Sequence, residues 1–441
     1  MNENENQNNG RSTSRRGFIQ STATAAVGAH LAMRQQFVQA APSTNDTLRV
    51  GLVGCGRRGR GAAIQALKAD THTRLVALGD VFEDQIDASL KTFEQYGGEV
   101  EDRIDIPKQH CFAGFDAYQQ VIDCVDVVLL ATPPHFRPHH LEACIDAGKH
   151  VFAEKPVAVD AAGVKRVQLA CQAAEKKGLT VVSGLCWRYD ALARASIGQV
   201  HDGAIGRVIA MHSVYNSSRP GKEWPMRRQT AWGDMEWQLR NWYWFTWLSG
   251  DHIVEQAIHS MDKAAWAVHD EPPVSAVSLG GLQARSGSEL GTIFDHHAVI
   301  YEHANGMKHF HHCRQQSGCA NDVSTQIIGS EGVCEVEKGI IREPDGNVTW
   351  KYSGPKGQQM HQAEHDEMFA GIRAGKPINN GDYMSTSTML AVLGRLASYT
   401  GEKITWDEAL DSADDLSPPR YDWTVKIEVP PIALPGVSTL S

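Results

Sequence analysis

The sequence predicts an α/β domain on a doubly wound parallel sheet, followed by a second domain of α+β type. Three observations carry this expectation. Short β-branched strand candidates alternate with helical stretches from residue 48 to about 185. The first of them runs directly into the glycine turn Gly54-Cys55-Gly56-Arg57-Arg58-Gly59. After residue 186 strand candidates are grouped instead, at 208–214, 274–279, 297–301, 308–313 and 332–337, before helical stretches at 362–373 and 384–399.

Leu48–Val53 is a short apolar run, and helix-compatible residues 62–69 follow the glycine turn, so the segment reads strand, turn, helix. The first glycine permits the tight turn, the second lets backbone approach a pyrophosphate, and the third lets helix pack on strand. A second run, 75–79, ends at Asp80, about 20 residues beyond Gly59, where a carboxylate accepts hydrogen bonds from an adenosine ribose. Asp80 favours NAD over NADP, because a 2′-phosphate meets its negative charge, while Arg57 and Arg58 leave some room for NADP. Runs 125–131 and 150–153 supply two more strands, with a helix at 138–147 between them. Ligands of such sheets bind beyond the carboxyl ends of the strands, which places Thr132, Pro133, His135, Glu154 and Lys155 beside Gly54, Gly56, Arg57, Arg58, Gly59 and Asp80 at a cofactor.

Composition narrows the function. At 441 residues the length favours two domains, and 42% hydrophobic against 21% charged residues is globular rather than disordered. A net charge of −10 supplies no basic field for nucleic acid, and no run reaches the roughly 20 apolar residues of a membrane-spanning helix. Nine scattered cysteines without a C-x-x-C pair make neither a disulfide scaffold nor a cysteine zinc site. Ser14-Arg15-Arg16-Gly17-Phe18-Ile19, a weakly apolar run to Met33 and small residues before Ala41 form a twin-arginine export pattern over residues 1–40, which implies a periplasmic protein folded around its cofactor before export.

These motifs, with Ala131-Thr132-Pro133, Ala147-Gly148-Lys149-His150-Val151, Glu154-Lys155-Pro156, Trp187-Arg188-Tyr189, Gly203-Ala204-Ile205-Gly206 and His259-Ser260-Met261-Asp262, resemble the Gfo/Idh/MocA family of oxidoreductases along nearly the whole mature chain. The resemblance implies an N-terminal Rossmann domain over 48–185 and a substrate-binding domain with a large, mostly antiparallel sheet over 186–426. It also implies hydride transfer between nicotinamide and a sugar or polyol carbon. The family's E-K-P lysine falls on Lys155, and its Asp-x-x-x-His pair on Glu255 and His259. Two departures stand out: Glu255 replaces an aspartate, and Arg137 stands where the T-P-x-x-x-H turn often has histidine.

Oxidising a secondary alcohol needs a base for the hydroxyl proton, and His259 titrates nearest neutrality. If 251–268 is one helix, Glu255 shares a face with His259 four residues on and orients its ring, while Lys155 binds or polarises the substrate oxygen. His252, Glu255, His259 and Asp262 would share that face too, a spacing compatible with metal, but the expectation is no resident metal. Histidines at 296–297 and 309–312 are expected in part to line the sheet face toward substrate. Six tryptophans between Trp224 and Trp247 suit either sugar faces or a packed aromatic cover. Residues 427–441 read as an extended tail that packs on a neighbour or stays mobile. The expectation is therefore an exported NAD-dependent oxidoreductase of a sugar or cyclitol CH–OH group, working as a homo-oligomer. Redox-neutral NAD-dependent glycosidase chemistry and a non-catalytic sugar-binding protein are the alternatives.

Overall fold

The computed structural model describes residues 46–98, 100–221, 226–285, 291–355 and 359–440. The export pattern at 1–40 and Trp224 lie outside the described residues. Six strands, β1 (Leu48–Val53), β2 (Thr73–Asp80), β3 (Cys111–Ala113), β4 (Val127–Leu130), β5 (His150–Ala153) and β6 (Val181–Ser183), form one sheet in the order β3-β2-β1-β4-β5-β6. Every pairing in it is parallel. All four residues of β4 are buried, as a parallel strand covered by helices on both faces requires. Two apolar clusters divide between these faces. One contains Leu52, Leu67, Leu129 and Phe152, the other Val53, Val128, Leu141 and Val151.

Local chemistry sets the helix ends. Asp160 accepts a 2.7 Å hydrogen bond from the Gly163 amide to start the helix Ala161–Lys177, which stops at Gly178 with φ +67°. Asp190 caps the helix Ala191–His201 through the Ala193 amide at 2.8 Å.

The second sheet has nine strands: β7 (Val208–Ser217), β8 (Ser275–Gly281), β9 (His296–Glu302), β10 (Lys308–Gln315), β11 (Asp322–Gly329), β12 (Val333–Glu335), β13 (Ile340–Arg342), β14 (Val348–Lys351) and β15 (Ile404–Thr405). Their order is β14-β13-β12-β11-β7-β10-β9-β8-β15. Only the β7–β10 pair is parallel. Alternate residues of β9 and β10 are buried, and the helix Gly381–Thr400 packs on that face.

Two late segments return to earlier parts of the chain. Met368, Phe369 and Ile372 of the helix Met360–Arg373 enter the core of the first sheet. Ile427 and Val429 pack beside the cluster of Trp237, Phe245 and Trp247, and Leu440 beside that of Leu393 and Leu396. The expected free or neighbour-bound tail therefore packs on its own chain through Ile427, Val429 and Leu440, while Leu434 and Val437 stay exposed.

Candidate active site

The strand order reverses between β1 and β4, and a cleft of about 650 Å³ opens over their carboxyl ends. The glycine turn forms one wall. Gly54 has φ +97°, and a Cβ there would stand 2.5 Å from the Ala131 carbonyl carbon. At Gly59 a Cβ would come within 2.0 Å of the Gly54 oxygen, so this glycine serves helix-on-strand packing. A Cβ on Gly56 would meet nothing within 4 Å, and Gly56 lines the cleft, which leaves the space a pyrophosphate needs at the start of the helix Arg57–Ala69. The wall thus fits a dinucleotide.

Asp80 lies at one end of the cleft. Its carboxylate accepts from the Cys55 amide at 2.7 Å and the Phe82 amide at 2.9 Å, fastening the glycine turn to β2. Burial raises its pKa against the effect of those two bonds. Arg57 stands exposed on the rim. Arg58 is directed elsewhere than toward phosphates: its Nε pairs with Glu154, Nη1 reaches Gln65 Oε1 at 2.7 Å, and Nη2 reaches Glu364 Oε1 at 2.9 Å. The buried Glu154 carboxylate and the buried Glu364 side chain hold this guanidinium away from a ligand.

Thr132 and Pro133 line the cleft, but His135 does not. Its Nε2 lies 2.8 Å from the Tyr421 hydroxyl, and its ring packs edge-on to Trp247 at 5.0 Å, so the side chain is directed to these aromatic neighbours rather than into the cleft. Arg137, in the position of the family's histidine, is buried. It donates to the Thr132 carbonyl at 2.6 Å and to the Pro156 carbonyl, tying together the two turns that face the cofactor.

At the other end Lys155, Glu255 and His259 all line the cleft. Lys155 Nζ donates to Glu255 Oε1 at 2.8 Å and to the Glu255 carbonyl. This second bond falls where the expected single helix breaks into two, His252–Glu255 and Ile258–Ala267. In a continuous helix the Glu255 carbonyl would accept from the His259 amide; here Lys155 takes it, and the His259 amide turns to the Gln256 carbonyl at 3.3 Å. Glu255 therefore pairs with Lys155 rather than orienting His259. The His259 Nδ1 is buried without a hydrogen-bond partner among the described residues. Burial, then the charges of Lys155 and Lys263, hold the His259 pKa well below its ordinary value, so the ring is neutral at neutral pH.

Part of the remaining wall comes from the tryptophan-rich stretch expected to face sugar or form an aromatic cover, while Leu239 and His361 are residues that sequence reasoning missed. Leu239, Arg240 and Trp242 close the cleft over the nucleotide half, where Arg240 stacks on Phe82 at 4.0 Å and reaches Asp84 at 3.2 Å. His361 also lines it, and neighbouring Glu364 meets Arg58 across 306 positions. Burial and the nearby Glu154 raise the Glu364 pKa well above the carboxylate range. The His252, Glu255, His259 and Asp262 face also dissolves: Asp262 pairs with Arg188 at 2.8 Å. Of the sheet histidines, His309 and His311 flank Ser213 Oγ at 2.7 and 2.8 Å, and among the described residues none of those at 296–297 or 309–312 lines the cleft.

Residues 48–184 match the oxidoreductase family with an NAD-binding Rossmann fold, and residues 198–335 match the GFO/IDH/MocA C-terminal domain. The chain belongs to the Gfo/Idh/MocA family. It is an NAD-binding oxidoreductase, and the glycine wall is where a Gfo/Idh/MocA chain of this sequence can seat that cofactor. An inositol 2-dehydrogenase of Rhizobium meliloti (strain 1021) is 25% identical over 292 residues, 66% of this chain and 76% of the relative. Among solved structures, scyllo-inositol dehydrogenase from Lactobacillus casei with bound NAD(H) and scyllo-inositol superposes with a TM-score of 0.62 at 19% identity, over 82% of this chain and 100% of that one. An aldose-aldose oxidoreductase from Caulobacter crescentus complexed with glycerol gives 0.62 at 22% identity, over 81% and 99%. Both share the Gfo/Idh/MocA fold seen here.

Proposed function

We propose that this oxidoreductase moves a hydride between NAD and a secondary alcohol carbon of a sugar or cyclitol. The observation that carries the reading is the meeting of Lys155 and a neutral, unpartnered His259 at the end of the cleft away from Asp80. NAD bound along the glycine wall supplies the hydride acceptor or donor. His259 takes the hydroxyl proton during oxidation and returns it during reduction. Lys155, held by Glu255, presents a cation to the reacting oxygen and stabilises negative charge there. The names of the inositol and aldose relatives support the polyol class.

The same reading includes export through the twin-arginine pattern of Ser14 to Ile19 and retention of NAD(H) through purification, supported by the Arg240 closure over Phe82. It also includes a homo-oligomer, supported by the outer face of the second sheet. There Val277, Ile300 and Phe310 stand in register across three strands, 36–40% exposed, beside Leu279 at 77%. The deciding experiment incubates purified protein with a panel of sugars and cyclitols and reads cofactor absorbance and products together. Stoichiometric NADH and ketone support the proposal. A hydrolysed glycoside without net NADH replaces it with the redox-neutral alternative.

A further inference from the structure

The residues just before Glu255 form another cluster, and none of its members lines the cleft. Asp251, His252 and His297 each offer a ligand atom, all within 4.8 Å of one another, and all three side chains are fully buried. We propose that these residues hold a divalent metal ion of the zinc class, which pins the segment carrying Glu255 to β9.

Three features set the cluster apart from a buried ion pair. First, one carboxylate oxygen is already committed: Asp251 Oδ2 accepts from the Phe294 amide at 2.8 Å and from the Tyr399 hydroxyl at 2.7 Å. That leaves Oδ1 facing both imidazoles, 3.0 Å from His252 Nδ1 and 3.2 Å from His297 Nε2. Two ligands about 2.1 Å from a tetrahedral ion stand about 3.4 Å apart, close to both separations. Second, neither ring nitrogen of His252 makes a hydrogen bond of good geometry among the described residues, although the ring is wholly buried. An imidazole donating to Asp251 would not leave both nitrogens unsatisfied.

Third, the far nitrogen of His297, Nδ1, lies 2.9 Å from Ser398 Oγ. Ser398 Oγ also lies 2.8 Å from the Gly394 carbonyl and 2.5 Å from Ser278 Oγ, and with its proton directed to either oxygen it accepts from Nδ1–H. Nε2 then carries a lone pair toward Asp251 Oδ1, an arrangement that a cation between the two relieves. Asp251 also holds φ +83° and ψ 160°, a region that non-glycine residues leave unless the surroundings fix them. Two imidazoles and a carboxylate suit zinc rather than calcium or magnesium.

The test uses the full chain without a histidine tag, expressed with added zinc, passed over a chelating column and analysed by plasma mass spectrometry. The proposal expects about one zinc per chain in the wild type and a several-fold loss in His297→Ala. Folded wild type with only trace metal overturns it, as does a folded His297→Ala that retains the full amount. Should His297→Ala fail to fold, wild type grown on cobalt decides. A visible spectrum of tetrahedral cobalt(II) supports the site, and a colourless, metal-poor protein removes it.

Discussion

The two ends of the cleft are built from different materials. Around Gly54, Gly56 and Gly59 the wall is backbone, Asp80 and Arg58 beside it are already hydrogen-bonded while Arg57 stands exposed on the rim, and its main feature is the open space over Gly56. Around Lys155, Glu255 and His259 the wall is ionisable side chains, two buried and ion-paired with each other and the third with a buried ring nitrogen that has no partner among the described residues. The first arrangement binds without titrating, because amides and helix ends carry no proton to exchange. The second can move a proton, because desolvation and neighbouring cations set its protonation state. Substitutions at the two ends should therefore fail differently.

The largest effect is expected at His259. His259→Ala should lower turnover by about 10²- to 10⁴-fold while NAD stays bound, as measured by steady-state rates and by nucleotide released on denaturation. The pH profile sharpens this. A depressed pKa keeps the ring neutral as pH falls through 6.5, so the acid limb of kcat/KM should lie below the ordinary histidine value. A limb at or above 6.5 that disappears in His259→Ala would contradict the electrostatics described here.

Next comes the Lys155–Glu255 pair. Lys155→Met strands a buried carboxylate and should cost about 3–5 kcal/mol of stability in urea titrations. The double variant with Glu255→Gln should recover part of that loss, with a coupling on the order of 0.5–3 kcal/mol. Additive losses would mean that the two side chains act separately, and Glu255 would again be available to His259.

The glycines test the other end. Gly59→Ala forces a Cβ to within 2.0 Å of the Gly54 oxygen and should lower the melting temperature without selectively affecting NAD. Gly56→Ala enters empty space and should leave stability unchanged, but weaken NAD about 5- to 150-fold, the equivalent of about 1–3 kcal/mol, by calorimetry. Equal effects of the two substitutions would erase the distinction between packing and cradle.

This contrast explains what the sequence could reveal. The glycine turn, Asp80 and the strand-end motifs are short local patterns whose spacing sets their geometry, and the alternating elements pointed to the parallel, doubly wound sheet that the structure shows. The chemical end depends on contacts across the fold. Glu364 reaches Arg58 from a helix at the far end of the chain, and Lys155 takes the carbonyl that a helix from Asp251 onward would have used. No local pattern shows a lysine arriving from 100 residues away to interrupt a helix. His135 shows a related effect: it sits on the turn beside the cleft, but its ring packs on Tyr421 and Trp247, distant in sequence, and does not line the cleft.

The smallest effect is expected at Asp80, where two roles compete. As a selector it repels a 2′-phosphate and accepts from the ribose; as a fastener it already takes the Cys55 and Phe82 amides on its two oxygens. Burial raises its pKa, yet each oxygen keeps a lone pair for a hydroxyl donor. Asp80→Ser with Val81→Arg removes the charge and adds a phosphate partner, so the NADP-to-NAD affinity ratio should rise by about tenfold, or about 1.4 kcal/mol. The lost amide bonds should lower stability by about 1–3 kcal/mol in the same variant. Both readings are separable by titrating each nucleotide and melting the protein without either. A lower melting temperature with an unchanged affinity ratio would leave Asp80 as a brace of the glycine turn and assign cofactor choice to Arg57 at the rim.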